Sequence, residues 1–299
     1  MITEDKVTEI FCMADDFCKI YEKFIKVNGL SPKRDRRKRE YHREPRLSDA
    51  EVMTIMILFH FSGYKCLKHF YSDYVCAHMR HLFPTPVSYN RFTELERKVS
   101  VPMVLFLKKC LMGRCTGISF VDSTALRVCR NQRIHPHRVF RGLAQRGQCS
   151  MGWFYGFKLH LVCYEKGELL SFMLTPGNVD DREPLKSSAF LENISGKLVV
   201  DKGYISRGLF EKLFVDGIQL LTKLRSNMKG ALMSVADKIL VRKRAIIETV
   251  NDELKSMVQI EHSRHRSTAL SAYCFFQKMR MIAVDKCGSP DSYNQLALF

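Results

Sequence analysis

Acidic residues are scarce in this chain of 299 residues, which holds 31 Asp and Glu against 48 Lys and Arg. The resulting formal net charge of +17 is too large for an enzyme that acts on neutral metabolites. It favours a polyanionic partner such as nucleic acid, because neutralising phosphates releases their counterions. A basic surface that only aids solubility is the alternative. The basic residues are clustered along the chain, which favours nucleic acid.

Paired cysteines and long apolar runs are also missing. None of the eleven cysteines stands in a C-x-x-C pair, which excludes a zinc ribbon and a thioredoxin motif. Cysteines scattered in this way are typical of small buried side chains in a reducing cytosol, so we expect a cytoplasmic protein. The first five residues include two acids, Glu4 and Asp5, and do not predict a signal peptide. The longest apolar run, near 52–61, is too short to span a membrane, and no membrane partner is expected.

The first third of the chain predicts helices. Residues 1–30 carry apolar residues at helical spacing, and Ser48 with Glu51 forms a capping-box pattern at the start of a region over 47–112. A helix that begins near residue 88 has Arg91 in its first exposed turn. These helices fit a helix-turn-helix type reader of DNA ends, and a plain helical bundle fits them as well. Between the two regions, 31–46 is either a solvated linker or a basic arm in which Arg36 and Arg37 contact DNA phosphates.

From 113 to 285 the pattern predicts one α/β domain with a mixed sheet, followed by a tail over 286–299. The expected elements are a strand over 117–121, a hairpin over 153–174, a helix from 180 or 181, a strand over 197–200, a helix over 208–214, a strand over 218–224, a helix over 241–257 and a helix over 269–284.

Three acids stand at informative places in this domain. Asp122 and Asp201 each follow an apolar strand directly, and Glu248 lies inside the helical pattern of 241–257. Carboxylates are the ligands that Mg²⁺ and Mn²⁺ prefer. Two such ions about 3.5–4 Å apart activate the nucleophile and stabilise the leaving oxygen in phosphodiester chemistry. The residues therefore suggest a catalytic site that binds two divalent metals.

Each acid also has a simpler interpretation. Asp122 and Asp201 could be helix N-caps. Glu253 could replace Glu248 as the third ligand, although it lies about 140° around the helix from it. Asp180 and Asp181 are expected to cap a helix rather than to bind metal.

Candidate DNA contacts surround these acids. No Asp or Glu occurs between 123 and 164. That interval holds Arg127, Arg130, Arg133, Arg138, Arg141, Arg146 and Lys158. It is either a DNA-tracking surface or an irregular solvated loop. Lys158 and His160 are either DNA contacts or ordinary exposed strand residues.

The helix that carries Glu248 also carries cations on the same face. Arg244, Asn251 and Lys255 share that face with it at helical spacing. Repelling carboxylates need a cation or a metal, and Lys255 and Arg244 are expected to position phosphates.

At these residues the chain resembles the DDE transposases of bacterial insertion sequences. Arg244-x3-Glu248-x6-Lys255 matches the signature of the group related to the IS4 type, except that its tyrosine falls at Val241. Asp201-x-Gly-Tyr204 matches the region of the second acid, and the segments 122–124, 177–182 and 244–255 together look most like the IS982 group.

The resemblance implies an RNase H-like catalytic domain in which Asp122, Asp201 and Glu248 hold two Mg²⁺ or Mn²⁺ ions. It also implies an α-helical N-terminal part that binds the terminal inverted repeats of the element. Tyr204, beside the second acid, joins the DNA-binding candidates.

The sequence thus predicts a transposase that cleaves DNA at the ends of its element and joins the 3′-hydroxyl to target DNA, as a homodimer in the synaptic complex. An RNase H-like nuclease or resolvase that cuts without joining, and an inactive sequence-specific DNA-binding protein, are the alternatives.

Overall fold

The structure is a computed structural model that describes residues 3–28, 45–223, 233–256, 260–261 and 279. The described residues fall into two compact units: the first comprises those up to Leu111 together with Met279, and the second begins at Met112. The predicted linker up to residue 44, with Arg36 and Arg37, lies outside the described residues. So do the tail 286–299 and, apart from Met279, the predicted helix 269–284. The domain bounds stay predictions.

The first unit is helical wherever it has regular structure among the described residues. Its helices are α1 (Glu4–Val27), α2 (Asp49–Phe61), α3 (Leu67–His69), α4 (Cys76–His78), α5 (Tyr89–Lys98) and α6 (Ser100–Cys110), with a π-helical segment, Phe70–Val75, between α3 and α4. Helix α2 is buried on all sides over 52–58 and contacts α1 and α5. A helix that is apolar all round is stable only inside such a bundle.

The predicted capping box at the start of α2 is confirmed. The Ser48 hydroxyl accepts a hydrogen bond from the Glu51 amide at 3.1 Å, and the Glu51 carboxylate accepts one from the Ser48 amide at 2.6 Å. Two amides that the first turn would leave without partners are thereby satisfied.

The second unit has a mixed α/β fold. Its described strands are β1 (Ile118–Cys129), β2 (Gln145–Cys149), β3 (Gly152–Tyr164), β4 (Leu169–Pro176), β5 (Gly196–Val199) and β6 (Ile218–Leu221), and its described helices are α7 (Ser188–Leu191), α8 (Arg207–Val215), α9 (Val235–Arg242) and α10 (Ala245–Ser256). These strands form one curled sheet in the order β2-β3-β1-β5-β6, in which β4 also pairs with β3. The predicted mixed sheet and the predicted hairpin, here β3 and β4, are confirmed.

The sheet combines an antiparallel and a parallel part. Strand β3 runs antiparallel to β1, β2 and β4, whereas β5 runs parallel to both β1 and β6. Strands β2 and β4 share one edge of β3: β2 pairs with 152–156 and β4 with 157–163. The parallel pair β1 and β5 therefore joins the two parts of the sheet, and β1 is the central strand.

The two faces of this pair have different roles. Val121 and Val200 lie in a buried cluster with Leu209 and Leu213 of α8. The opposite face of β1 contacts α10. Successive residues of a strand point to opposite faces, so that Asp122 faces α10 while Val121 is part of the buried cluster.

Three sequence predictions about these elements are wrong. Strand β1 has 12 residues and continues past Asp122, because β3 pairs with it as far as Cys129. No helix starts at Asp180 or Asp181; the Asp180 carboxylate instead accepts a hydrogen bond from the Arg182 amide at 2.9 Å and closes a turn. The helix predicted over 241–257 is interrupted at 243–244, where α9 ends and α10 begins.

The capping box gives a stability test. Replacing Ser48 with alanine removes the acceptor for the Glu51 amide, and we expect the free energy of unfolding to fall by about 1 kcal/mol. Urea unfolding monitored by circular dichroism measures the change. The exposed Ser72, replaced in the same way, is the matched control. Equal stability of the two variants would contradict the assigned role of the cap.

Candidate active site

The sheet brings Asp122 and Asp201 level with each other. Phe120 of β1 pairs with Val199 of β5 in parallel register. Two residues further along each chain stand Asp122 and Asp201, so both are on the same face at the same height. Glu248 lies in the first turn of α10, the helix that covers this face.

The three acids surround one guanidinium group, that of Arg244. Its Nη2 donates to Asp122 Oδ1 at 3.0 Å, and its Nη1 donates to Glu248 Oε1 at 2.9 Å. The same Nη1 lies 3.7 Å from Asp201 Oδ1. The Arg244 side chain is 19% exposed. The three acids that the sequence predicted therefore surround a single, partly buried position, which the Arg244 guanidinium occupies.

Asp122 is the most enclosed of the three. Its second oxygen, Oδ2, accepts a hydrogen bond from Asn251 Nδ2 at 2.9 Å. Burial raises the pKa of Asp122, the nearby Arg244 opposes that rise, and the charge of Glu248 adds to it. The pKa of Asp122 is raised overall, so burial destabilises the charged carboxylate more than Arg244 stabilises it.

The break between α9 and α10 places Arg244. The amides of Ile246 and Ile247 bond to the carbonyls three residues before them, at Lys243 and Arg244, which makes a tight turn. The sequence had Arg244 and Asn251 on the Glu248 face, but it did not show that both would contact the same aspartate.

The donor set fits a hard divalent cation once Arg244 moves away. Among the described residues, no group of three or more His, Cys, Asp and Glu is arranged to hold a metal ion. The guanidinium lies where such an ion would contact the carboxylates. Three carboxylates are nevertheless the ligands that Mg²⁺ and Mn²⁺ prefer. The Asp201 and Glu248 side chains are 56% and 55% exposed, so both can reorient toward an ion.

The prediction that Lys158 and His160 of β3 are exposed is wrong. His160 is 1% exposed, and its Nε2 forms a hydrogen bond with Thr175 Oγ1 at 2.8 Å. Lys158 pairs with Asp181 at 3.0 Å and donates to the Val179 carbonyl at 2.9 Å, with its side chain 12% exposed. By strand alternation both side chains lie on the same face of β3 as Val162, which belongs to the buried cluster, and Thr175 of the paired strand β4 contacts His160.

Tyr204 is buried as well, which contradicts its assignment as a DNA contact. It is 3% exposed and belongs to the apolar cluster under the sheet. Burial raises the pKa of its hydroxyl, and the charges of Asp122 and Asp181 raise it further. The aromatic ring supports the short 3₁₀ turn, Lys202–Tyr204, that directly follows Asp201.

The remaining DNA candidates are exposed. Six arginines lie on the end of β1, in the connection to β2 or on β2: Arg127, Arg130, Arg133, Arg138, Arg141 and Arg146. None of them forms an ion pair with an acid in the part of the chain that the structure describes. Lys255 is exposed near the end of α10. In the first unit, Arg91 is exposed and pairs with Glu94 at 2.5 Å.

Comparison with known proteins gives one family model and several similar solved structures. A family model described as transposase DDE domain matches residues 112–268. No curated protein matches the sequence. No described helix is both long and apolar enough to cross a membrane.

A piggyBac transposase in a synaptic complex with hairpin DNA is similar at 13% identity and a TM-score of 0.44; the match covers 99% of this chain and 77% of that one. The Mos1 strand transfer complex is similar at 10% identity and a TM-score of 0.23, over 83% of this chain and 88% of that one. TM-scores below 0.5 do not establish a shared fold.

The buried histidine gives a prediction about pH. Burial lowers the pKa of His160 from 6.5 to about 4, with Lys158 adding to this effect and Asp181 opposing it. The unfolded chain therefore takes up this proton first, and stability falls as the pH drops from 6.5 toward 4. The full loss is at most about 3 kcal/mol.

We expect His160→Gln to lack this part of the pH dependence, as measured by urea unfolding at about pH 7 and about pH 4. His135→Gln, at an exposed position, is the control and should keep the wild-type dependence. The same slope in wild type and His160→Gln would show that His160 is not protected from protons.

Proposed function

This chain belongs to the transposase DDE domain family, and on that premise we propose that it is a DNA transposase. It binds the terminal inverted repeats of its insertion sequence, cleaves phosphodiester bonds at the ends and joins the 3′-hydroxyl to target DNA. The observation that carries the proposal is the convergence of Asp122, Asp201 and Glu248 on Arg244.

The proposal includes an RNase H-like architecture for the second unit and a place in the IS982 group. An antiparallel series, β1, β3 and β4, is followed by the parallel strands β5 and β6. Asp122 lies on β1, and Asp201 follows the end of its parallel neighbour β5 by two residues. This arrangement supports the RNase H-like assignment.

Asp122, Asp201 and Glu248 would hold two Mg²⁺ or Mn²⁺ ions. Bound there, the ions supply an activated water or hydroxyl and stabilise the leaving oxygen. The other side chains have positioning roles in this proposal. Asn251 fixes the orientation of the Asp122 carboxylate through its hydrogen bond. Arg244 and Lys255 position DNA phosphates beside the acids.

The DNA would lie across the exposed arginines of the β1–β2 region. Guanidinium groups that lack acidic partners can each neutralise a phosphate. The first unit, with Arg91, and the basic segment with Arg36 and Arg37 would bind the element ends. Synapsis of two ends requires at least two copies of the active site, which supports a homodimer.

The main test is cleavage and joining by acid variants. We expect Asp122→Asn, Asp201→Asn and Glu248→Gln each to reduce Mg²⁺-dependent cleavage of a labelled element end by about a thousandfold or more, because each removes a metal ligand. Asp252→Asn changes an exposed acid of the same helix and should retain activity.

The reaction products separate the alternatives. Cleaved ends without joined products would favour a nuclease or resolvase. Specific binding with no cleavage by any variant, including wild type, would favour an inactive DNA-binding protein. Full activity of Asp122→Asn would contradict the site.

A second test addresses the DNA path. Replacing Arg130 and Arg133 with glutamine should weaken binding to any duplex and reduce the salt dependence of log K by about 0.9 for each phosphate that is no longer neutralised. Fluorescence anisotropy over a salt series measures both. The control is Arg207→Gln, because Arg207 is exposed but pairs with Glu211 at 2.9 Å. An unchanged salt slope in the double variant would place the DNA elsewhere.

A further inference from the structure

Arg244 contacts the acids in a way that excludes a metal ion from the same position. Its two terminal nitrogens contact oxygens of Asp122, Asp201 and Glu248. The other oxygen of Asp122 is held by Asn251. An ion that contacts all three acids from the position of the guanidinium must therefore displace Arg244. The three acids are thus held together by an internal cation.

We propose that Arg244 is an exchangeable counter-ion: it holds the three carboxylates while no metal is bound, and it transfers to a DNA phosphate when metal enters. This inference rests on the proposed function and adds a coupling between metal binding and DNA binding. No covalent step is involved. Only ion pairs are exchanged.

Electrostatics favours such an exchange. Three carboxylates and one guanidinium leave two uncompensated negative charges in the site. A divalent cation carries twice the charge of Arg244 and can contact oxygens of more than one carboxylate directly. Once the acids are neutralised by metal, they no longer attract Arg244 strongly. A nearby phosphate then becomes its best partner, because a guanidinium binds phosphate through two parallel hydrogen bonds.

Two buried atoms show that the present contacts are incomplete. Arg244 Nε and Asn251 Oδ1 are both buried and have no hydrogen-bond partner among the described residues. Buried polar atoms of this kind are uncommon, since each costs the free energy of its lost hydration. The terminal nitrogens of Arg244 are satisfied by the acids, but its Nε is not. Further acceptor oxygens, such as those of a phosphate, would satisfy it.

The position of Arg244 permits the movement. It lies in the turn between α9 and α10 rather than inside either helix. Two of its three partners, Asp201 and Glu248, are more than half exposed. Exposed ion pairs are weak and exchange readily. The contact with the enclosed Asp122 is the one that the metal has to replace.

The exchange and a purely structural role for Arg244 predict opposite changes in metal affinity when Arg244 is removed. If Arg244 competes with metal, removing it should strengthen metal binding. If it only keeps the acids in place, removing it lets them separate and should weaken metal binding. The DNA-free full-length chain therefore distinguishes the two roles without any measurement of activity.

The experiment is a Mn²⁺ titration of the DNA-free protein, in which electron paramagnetic resonance reports free Mn²⁺. We expect Arg244→Gln to bind Mn²⁺ roughly tenfold more tightly than wild type, because the cation that competes for the three acids is gone. Lys243→Gln is the matched control. It removes the same charge one residue earlier, where Lys243 lies 3.9 Å from Glu165 and not against the acids. Its Mn²⁺ affinity should stay within about twofold of wild type.

The second measurement is the effect of Mn²⁺ on binding to a random-sequence duplex of about 30 base pairs, at constant ionic strength. In wild type and Lys243→Gln, Mn²⁺ should raise the affinity, since linkage between two sites is reciprocal. In Arg244→Gln this increase should disappear. If that variant does not fold, Arg244→Lys supplies the test: one ammonium cannot contact the acids as a fork, so Mn²⁺ binding should tighten by a smaller factor.

Weaker or unchanged Mn²⁺ binding in Arg244→Gln overturns the exchange. If wild type still cleaves and joins DNA in that case, the proposed function stands and only this inference fails. If wild-type protein neither binds Mn²⁺ nor cleaves, both fail.

Discussion

Three carboxylates that surround one position repel each other, and in the second unit the Arg244 guanidinium between them offsets part of this repulsion. Asp122 suffers most, because it is also enclosed, and the upward shift of its pKa shows that Arg244 only partly offsets its burial. A charge-assisted hydrogen bond contributes about 1.5–3 kcal/mol when it is shielded from water. The contact with Asp122 belongs in that range. The contacts with the exposed Asp201 and Glu248 contribute less, since water and salt screen them.

The fold supplies this geometry from two directions. Parallel pairing of β1 with β5 sets the heights of Asp122 and Asp201, and the apolar cluster on the far face fixes both strands. Helix α10 covers the near face through Ile247, Val250 and Leu254, which are buried. Its polar residues are therefore held against the acids. Packing of the apolar stripe thus fixes the positions of Asn251 and Glu248, which lie beside it on the helix.

Much of this arrangement follows from the sequence, because it rests on local patterns. The capping box at Ser48, the apolar strand before Asp201 and the face shared by Arg244 and Glu248 are all determined by residues a few positions apart. The extent of β1 does not follow from local pattern: three consecutive polar residues, Asp122, Ser123 and Thr124, interrupt its apolar run, and the strand continues past them because β3 pairs with it. His160 and Tyr204 were misassigned for a related reason. Their burial depends on β4 and on the cluster beneath the sheet, which no local spacing reveals.

Sequence spacing also did not predict that Arg244 contacts all three acids. It placed a cation and an acid on one helical face, but a three-way contact with Asp122 and Asp201 depends on the break between α9 and α10. Because of that break, Arg244 lies in a turn from which its guanidinium contacts all three acids.

The most direct test of this account is a crystal structure of the full-length protein soaked with Mn²⁺, with anomalous diffraction used to locate the ions. The account predicts Mn²⁺ in contact with Asp122, Asp201 and Glu248, with the Arg244 guanidinium displaced from Asp122. Ions bound elsewhere, or acids that still hold Arg244 at saturating Mn²⁺, would contradict it.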